Sequence, residues 1–341
     1  MLRSIFNKLA SSIATIFGAS VVAFVLLRVL PGDPARLIAG SLASEEALAG
    51  VRRQLGLDQL LHIQYLRYIS DFFSGDWGFS FSTGAPVQEV LQSRFPATAE
   101  LAFYAFIFAF LSALVLALLA TFRGRSFVDG LLRMLSSIGL GTPPFWFAIL
   151  ILIVFFEQLG LLPGPSGRLG MATIPPPHAT GFYTIDALLA GQWDVFREAA
   201  VHLVLPVVSL GLVPFSFLVR LLRANLLETS SQPFIVVVRS KGISQWRTHL
   251  RHTLPNAFLP TLTASGLILA ELLTGSVLVE RIFSWPGIGA LVVDSIKRQD
   301  FAVVQTFILI SASLYIVVNL LVDVLYGVID PRTRIPASGA K

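Results

Sequence analysis

The sequence predicts an all-α polytopic membrane protein with six transmembrane helices. Of its 341 residues, 55% are hydrophobic and 13% are charged, and the mean hydropathy is +0.75. Soluble domains carry about 25% charged residues, so this chain has more apolar surface than one aqueous core can bury. Six segments reach the roughly 20 predominantly apolar residues that a helix needs to cross a bilayer. The basic residues fall on alternate connections between these segments, as the positive-inside rule describes.

The first segment, 9–30, follows Arg3 and Lys8. It is longer than the roughly 7–15 apolar residues of a signal-peptide core, and no small-x-small cleavage site follows it, so 1–30 reads as an uncleaved first transmembrane helix. The other segments are 98–122, 132–156, 201–222, 259–279 and 303–326. Arg123, Arg125 and Arg133 fill the second-to-third connection, and Arg220, Arg223, Arg239, Lys241, Arg247 and Arg251 flank or occupy the fourth-to-fifth. Arg332, Arg334 and Lys341 follow the sixth segment. Asp33, Glu45, Glu46, Asp58, Asp71 and Asp76 gather on the opposite side. The rule puts the basic side, and with it both termini, in the cytoplasm. The net charge of +5 is then a mark of topology and not of nucleic-acid binding. With no cysteine, the chain has neither disulfides nor thiolate metal sites.

Four regions follow. After the first helix comes a periplasmic amphipathic segment, 31–97, in which Ser44 is placed to cap a helix with Glu45 and Glu46 in its first turn. A five-helix core, 98–328, carries a cytoplasmic loop at 223–258, and 329–341 is a cytoplasmic tail. Within the core, 157–200 is rich in Pro and Gly and reads as an irregular outer loop.

The cytoplasmic loop is the most distinctive part of the chain. Ile235, Val236, Val237 and Val238 offer an apolar ridge, with Arg239 and Lys241 beside it. Gly242 permits a left-handed turn that ends one helix, and Ser244 is placed to cap the next, over 246–252. A basic loop at a membrane face can also simply grip anionic lipid. Inside the spans, Glu271 lies midway along the fifth, and Asn319 and Asp323 share a face of the sixth. An acid at that depth costs about 2.5–3.5 kcal/mol on insertion scales, so it should face protein or a watery path. Glu271 reads either as lining a passage for a cationic group or as a helix-packing contact. Asp323 reads as a structural partner of Arg28, Arg220 or Arg223. Pro143, Pro144 and Pro206 are expected to kink or interrupt their spans. Trp285, Pro286, Gly287 and Gly289 form a tight turn on the outer side.

Catalytic chemistry is not apparent. There is no Gly-x-x-x-x-Gly-Lys-Ser/Thr loop, no His-Glu-x-x-His and no Gly-x-Ser-x-Gly, and the five histidines fall on different sides of the membrane. No catalytic residue and no metal ligand set is assigned. A self-sufficient secondary transporter would call for ion-coupling residues or inverted repeats, and neither is evident.

The chain resembles the permease subunits of binding-protein-dependent ABC importers, in the dipeptide/oligopeptide/nickel group. The resemblance covers nearly the whole length: LRVLPGDPA (27–35), QLGLDQ (54–59), GDWGFSF (75–81), PVQEVLQSRFPATAEL (86–101), PPFW (143–146), HLVLP (202–206), VERIFSWPGIG (279–289) and DPR (330–332) occur in the family's order. In the loop, Arg239, Lys241, Gly242, His252, Asn256 and Pro260 match the family signature, while Val238 and Ser240 stand where Ala is usual. The resemblance implies the type I importer permease fold in a bacterial inner membrane. It makes the loop around Val237–Gly242 a coupling helix seated on an ATPase subunit. Implied partners are a second homologous permease subunit, two ATP-binding subunits carrying ATP and magnesium, a solute-binding protein touching the outer loops, and membrane lipid. No cofactor is expected on this chain itself. Small peptides are the implied substrates, with nickel chelates, glutathione or opine-like compounds as the alternative.

Overall fold

A computed structural model describes residues 13–25, 43–54, 56–122 and 127–329. Arg3, Lys8, Arg28, Asp33, Arg123, Arg125, Arg332, Arg334 and Lys341, with the LRVLPGDPA and DPR motifs, lie outside the described residues. The chain divides into two compact units, 1–96 with 286–316 and 97–285 with 317–341.

In the first unit, α1 (Ile13–Val25), α2 (Glu45–Gln54) and α3 (Leu61–Ser74) precede a two-residue antiparallel pair, β1 (Phe79–Ser80) with β2 (Ala85–Pro86). Ser44 caps α2 through its hydroxyl, which accepts the Ala47 N–H at 3.2 Å. The α3 helix meets α1 through Tyr65, hydrogen-bonded to Ser20 at 2.7 Å with its ring 5.5 Å from Phe24. It ends at Gly75, whose left-handed φ of 84° returns the N–H to Phe72 and Asp71 carbonyls. Val87, Val90 and Leu91, opening α4 (Val87–Phe122), form the small core with Ile288, Leu291 and Val292 of α13 (Ile288–Lys297) and with Val303. Asp300 is buried here and accepts bonds from the Ser80 hydroxyl at 2.6 Å and the Ser82 N–H at 3.1 Å.

The helices over 193–230 and 245–275 lie wholly in the second unit, and those over 87–121 and 301–322 belong partly to each. Four helices in the described residues are long and apolar enough to cross a membrane: 87–121, 193–230, 245–275 and 301–322. The third predicted span is not one straight helix. It is a pair, α5 (Phe127–Gly141) and α6 (Pro144–Leu152, continuing as π-helix to Gln158), bent by 109° between them. Proline supplies the reason: Pro144 lacks an N–H to continue α5, and Pro143 is extended at ψ 134°. By contrast α8 (Trp193–Ser230) continues through both Pro206 and Pro214, so Pro206 does not interrupt its span. Counted by length and composition, the described residues give four spans, or five with the bent pair as one.

Close helix approach comes from small residues. Ala105, Ala109, Ala113 and Ala117 recur every four positions on α4, all buried. Opposite them, a Cβ on Gly211 of α8 would stand 2.7 Å from the Phe108 ring and 3.0 Å from the Ala105 carbonyl oxygen. Two backbones this near need glycine and alanine at the contact, the general way membrane helices gain packing contacts.

The 159–192 stretch between α6 and α8 is irregular but heavily tied down. Arg168, 7% exposed, donates twice to Glu100 Oε2, at 3.1 and 2.5 Å, and once to the Gly181 carbonyl at 2.6 Å. Its guanidinium also lies 3.4 Å over the Tyr183 ring. Glu100 Oε1 accepts the N–H and hydroxyl of Thr184, on the short α7 (Tyr183–Leu189). Nearby, buried Glu280 of α12 (Val277–Ile282) accepts from Thr98 and Ser276, and Trp285 donates its indole N–H to the Ala97 carbonyl at 2.7 Å.

Asp186 on α7 predicts a pH dependence. Burial alone would raise its carboxyl, but bonds donated by Thr180 and Gly181 outweigh that and hold it below its ordinary 3.8. A depressed folded value means the stabilisation is complete above the ordinary value and is lost as pH falls through the folded one. Hydrogen-exchange protection of the Thr180 and Gly181 amides should therefore hold from neutral pH down to about 4 and decline only below that. In Asp186→Asn it should be weaker and independent of pH. An unchanged titration in that variant would contradict the assignment.

Candidate functional site

The loop singled out in the sequence folds as a helical elbow. The α8 helix runs on to Ser230, and after two residues α9 (Pro233–Ser240) begins with proline in its first turn, where no N–H is missed. Gly242 is left-handed, with φ 73° and open space around it, so conformation and not space favours glycine there. The chain then re-enters helix at α10 (Gln245–Thr248), passes through a π-helical turn (His249–Thr253) and continues as α11 (Leu254–Gly275). Ser244 occupies the cap position, but its carbonyl accepts the Thr248 N–H while its hydroxyl makes no cap bond.

The apolar ridge is split. Four consecutive residues cannot share one side of a helix with 3.6 residues per turn. Ile235 is fully buried and anchors α9, whereas Val236 and Val237 are 60% and 54% exposed and Val238 is half-buried. Phe234 and Trp246 are exposed near them, as are Arg239, Ser240, Lys241 and Gly242. The result is an outward apolar patch edged by cations. At the far end of the elbow, Asn256 donates to the His252 carbonyl at 2.8 Å, so these two signature residues hold each other across one helical turn.

One anchor of the elbow was not read from the sequence. Asp129 of α5 is buried and bridges Arg133, at 2.8 Å, and Arg223 near the end of α8, at 2.5 Å. Arg223, one of three arginines offered as partners of Asp323, holds Asp129 and so ties α5 to the helix that leads into the elbow. The i,i+4 spacing of Asp129 and Arg133 was a legible signal of half this bridge.

The span residues do not gather into one cluster. Glu271 is exposed on α11, on a face shared with exposed Leu267, and its carboxylate has no ion pair within 4.0 Å among the described residues. Asn319 on α14 (Phe301–Ile329) is half-buried, and its buried Oδ1 has no hydrogen-bond partner among the described residues. Asp323 lies one turn further along that helix. In the turn after the fifth span, Trp285, Gly287 and Gly289 are buried and Pro286 is half-buried, while Ser284 is exposed and left-handed at φ 53°. Trp285 acts as an anchor, and the exposed part of the turn is Ser284 with Arg281. No group of His, Asp or Glu among the described residues is arranged to hold a metal ion.

Comparison with known proteins covers both ends of the chain. Residues 113–335 match the family described as binding-protein-dependent transport system inner membrane component, and 1–102 match the N-terminal region of such membrane components. The chain is 43% identical over 320 residues to a probable D,D-dipeptide transport system permease protein of Escherichia coli K12, covering 94% of each. It is 38% identical to a di/tripeptide transport system permease protein of Pseudomonas aeruginosa, over 98% of this chain and 99% of that one. With a dipeptide transport system permease protein of Escherichia coli K12 the identity is 37%, again over 98% and 99%.

Proposed function

Because this chain belongs to the family of binding-protein-dependent transport system inner membrane components, we propose that it forms one half of an ATP-driven pathway for small peptides. It is a multi-pass inner-membrane permease, a transport subunit and not an enzyme. The observation that carries the peptide reading is near-full-length similarity to permeases named for dipeptide or tripeptide transport. In this reading six helices cross the membrane with both termini inside, and a second permease subunit completes the pathway. A solute-binding protein delivers the peptide on the outer side.

The energy enters at the elbow. Val236, Val237, Phe234 and Trp246 make the apolar contact with an ATP-binding subunit, and Arg239 and Lys241 set its orientation by charge. Val238, Ser240, His252 and Asn256 shape and support that contact. The Asp129–Arg223 bridge supports this role, since movement imposed on the elbow then reaches α5 and α8 together. ATP and magnesium reside on the partner subunits, of which there are two. The pathway itself involves Glu271, an acid on a face that is otherwise apolar and exposed in the single chain, with Asn319 and Asp323 on α14.

The test is uptake by the reconstituted transporter with its binding protein, using a panel of dipeptides against nickel chelates, glutathione and opines. Dipeptides are expected to be taken up and the other classes not. Glu271→Gln should reduce uptake of peptides with a free amino terminus about tenfold, the weight of one charge-assisted hydrogen bond. Unchanged uptake of every substrate in that variant would remove Glu271 from the pathway.

A further inference from the structure

In the first unit, on the side assigned above to the exterior, α3 and the turn after α13 border a half-open cleft of about 440 Å³. That lies within the range of roughly 300–1,000 Å³ typical of small-molecule sites. Arg67, Tyr68 and Asp71 face it from one side of α3, Trp77 from the turn that follows, and Arg298 and Gln299 from the segment before α14.

Its walls are fixed while its charges are loosely held. Trp77 donates its indole N–H to the Phe72 carbonyl at 3.1 Å and stacks on the Phe72 ring at 6.0 Å. Asp300, also on the lining, is locked by Ser80 and Ser82. Gln299 adopts a left-handed φ of 57°, costly for a residue with a side chain, and Gly56 and Gly78 are left-handed in the same lining. Three left-handed backbones around one cavity shape its wall from main chain. The Arg67–Asp71 pair is different: it is 3.8 Å long, with side chains 54% and 45% exposed. So long and wet a pair contributes little to stability. Arg298 uses one N–H on the Ser82 carbonyl at 3.2 Å, and a guanidinium has five.

We propose that this cavity binds the two charged ends of a short zwitterionic peptide, as a holding site on the permease distinct from the membrane pathway. The peptide carboxylate takes the fork of Arg67, displacing Asp71, and the freed Asp71 accepts the peptide ammonium. Tyr68 and Trp77 give the side chains an aromatic wall. Exchange of one loose ion pair for two with the ligand keeps both Arg67 and Asp71 paired, and a bidentate Arg–carboxylate contact is stronger than the pair it replaces. An anion alone would leave Asp71 without its partner, and a cation alone would leave Arg67 so. The inference rests on the peptide-importer reading for its ligand class.

The test is binding of L-alanyl-L-alanine to the purified, assembled transporter in nanodiscs, without solute-binding protein or nucleotide, by saturation-transfer NMR. Three further probes are its N-acetyl form, its C-terminal amide and free acetate. The dipeptide should bind, and each capped form should bind about tenfold more weakly. Asp71→Asn should erase the difference between the dipeptide and its N-acetyl form, and Arg67→Gln that between the dipeptide and its amide. Both side chains are half exposed, so the variants should fold, and an unchanged melting temperature checks this. Equal binding of all four probes, or binding unaffected by both variants, overturns the proposal. The importer reading is judged separately, by dipeptide uptake with the binding protein present. Uptake without this binding signature sinks the holding site alone; absence of uptake from the whole dipeptide panel sinks the peptide reading itself.

Discussion

Replacing Arg168 by leucine is expected to lower the melting temperature of the purified transporter by about 10 °C. The side chain closes a buried ion pair with Glu100, which is 1% exposed, and it also satisfies the Gly181 carbonyl. Removing one partner of such a pair leaves an uncompensated charge and typically costs about 3–5 kcal/mol, against a few degrees per kcal/mol in a chain of this size. The cost arises from the orphaned carboxylate and not from the pair's own attraction. Glu100→Gln combined with Arg168→Met should therefore regain most of the loss, because the amide oxygen still accepts from Thr184 and no charge remains. Differential scanning fluorimetry on the parent and these two variants decides it. A double variant as unstable as the single one would show that shape, and not charge, sets the cost.

In the elbow, Gly242→Val is expected to abolish ATP-driven peptide uptake while the permease still folds and inserts. The position has open space around it, so no steric contact is lost or gained. What changes is the backbone: φ 73° costs a residue with a Cβ about 1–2 kcal/mol, and a β-branched one more. The elbow can relieve this by swinging α9 away from the angle it holds against α10, and α9 carries the exposed Val236 and Val237. Gly242→Asn separates the two explanations, since asparagine tolerates the left-handed region. It should keep most of the uptake, within about threefold of the parent. Equal loss in both variants would mean that the absence of a side chain, and not the turn, is what matters there.

Much of the architecture was legible in one-dimensional patterns. Hydropathy located the long helices, the Ser44 hydroxyl caps α2, and the left-handed Gly242 divides the loop where its sequence said it would. Proline was legible only in part: Pro143 and Pro144 break the third segment, but α8 continues through Pro206. Every proline disfavours the helical region for the residue before it; Pro143, before Pro144, yields and is extended, whereas α8 holds the residue before Pro206 helical. The apolar ridge expected at 235–238 splits, because at 100° per residue Ile235 and Val237 cannot face the same way. The buried ion pairs were the least legible. Arg168 and Glu100 lie 68 residues apart, and Arg223 and Asp129 lie 94 apart. Nothing local marks such residues as partners, since pairing across that distance is a property of packing alone. Arg168 in particular sits in a Pro- and Gly-rich stretch that reads as a surface loop, yet it is buried.

In the function proposed, this chain moves peptides with energy supplied by another subunit through the elbow at Gly242. The most direct measurement is dipeptide uptake into proteoliposomes containing the assembled transporter, its binding protein outside and ATP inside, with and without substitution of the phosphate-loop lysine in the ATP-binding subunits. Uptake should require ATP and fall to background in the lysine variant, while this chain remains assembled with its partners. Uptake that continues undiminished in that variant would contradict the account and make this chain a transporter in its own right.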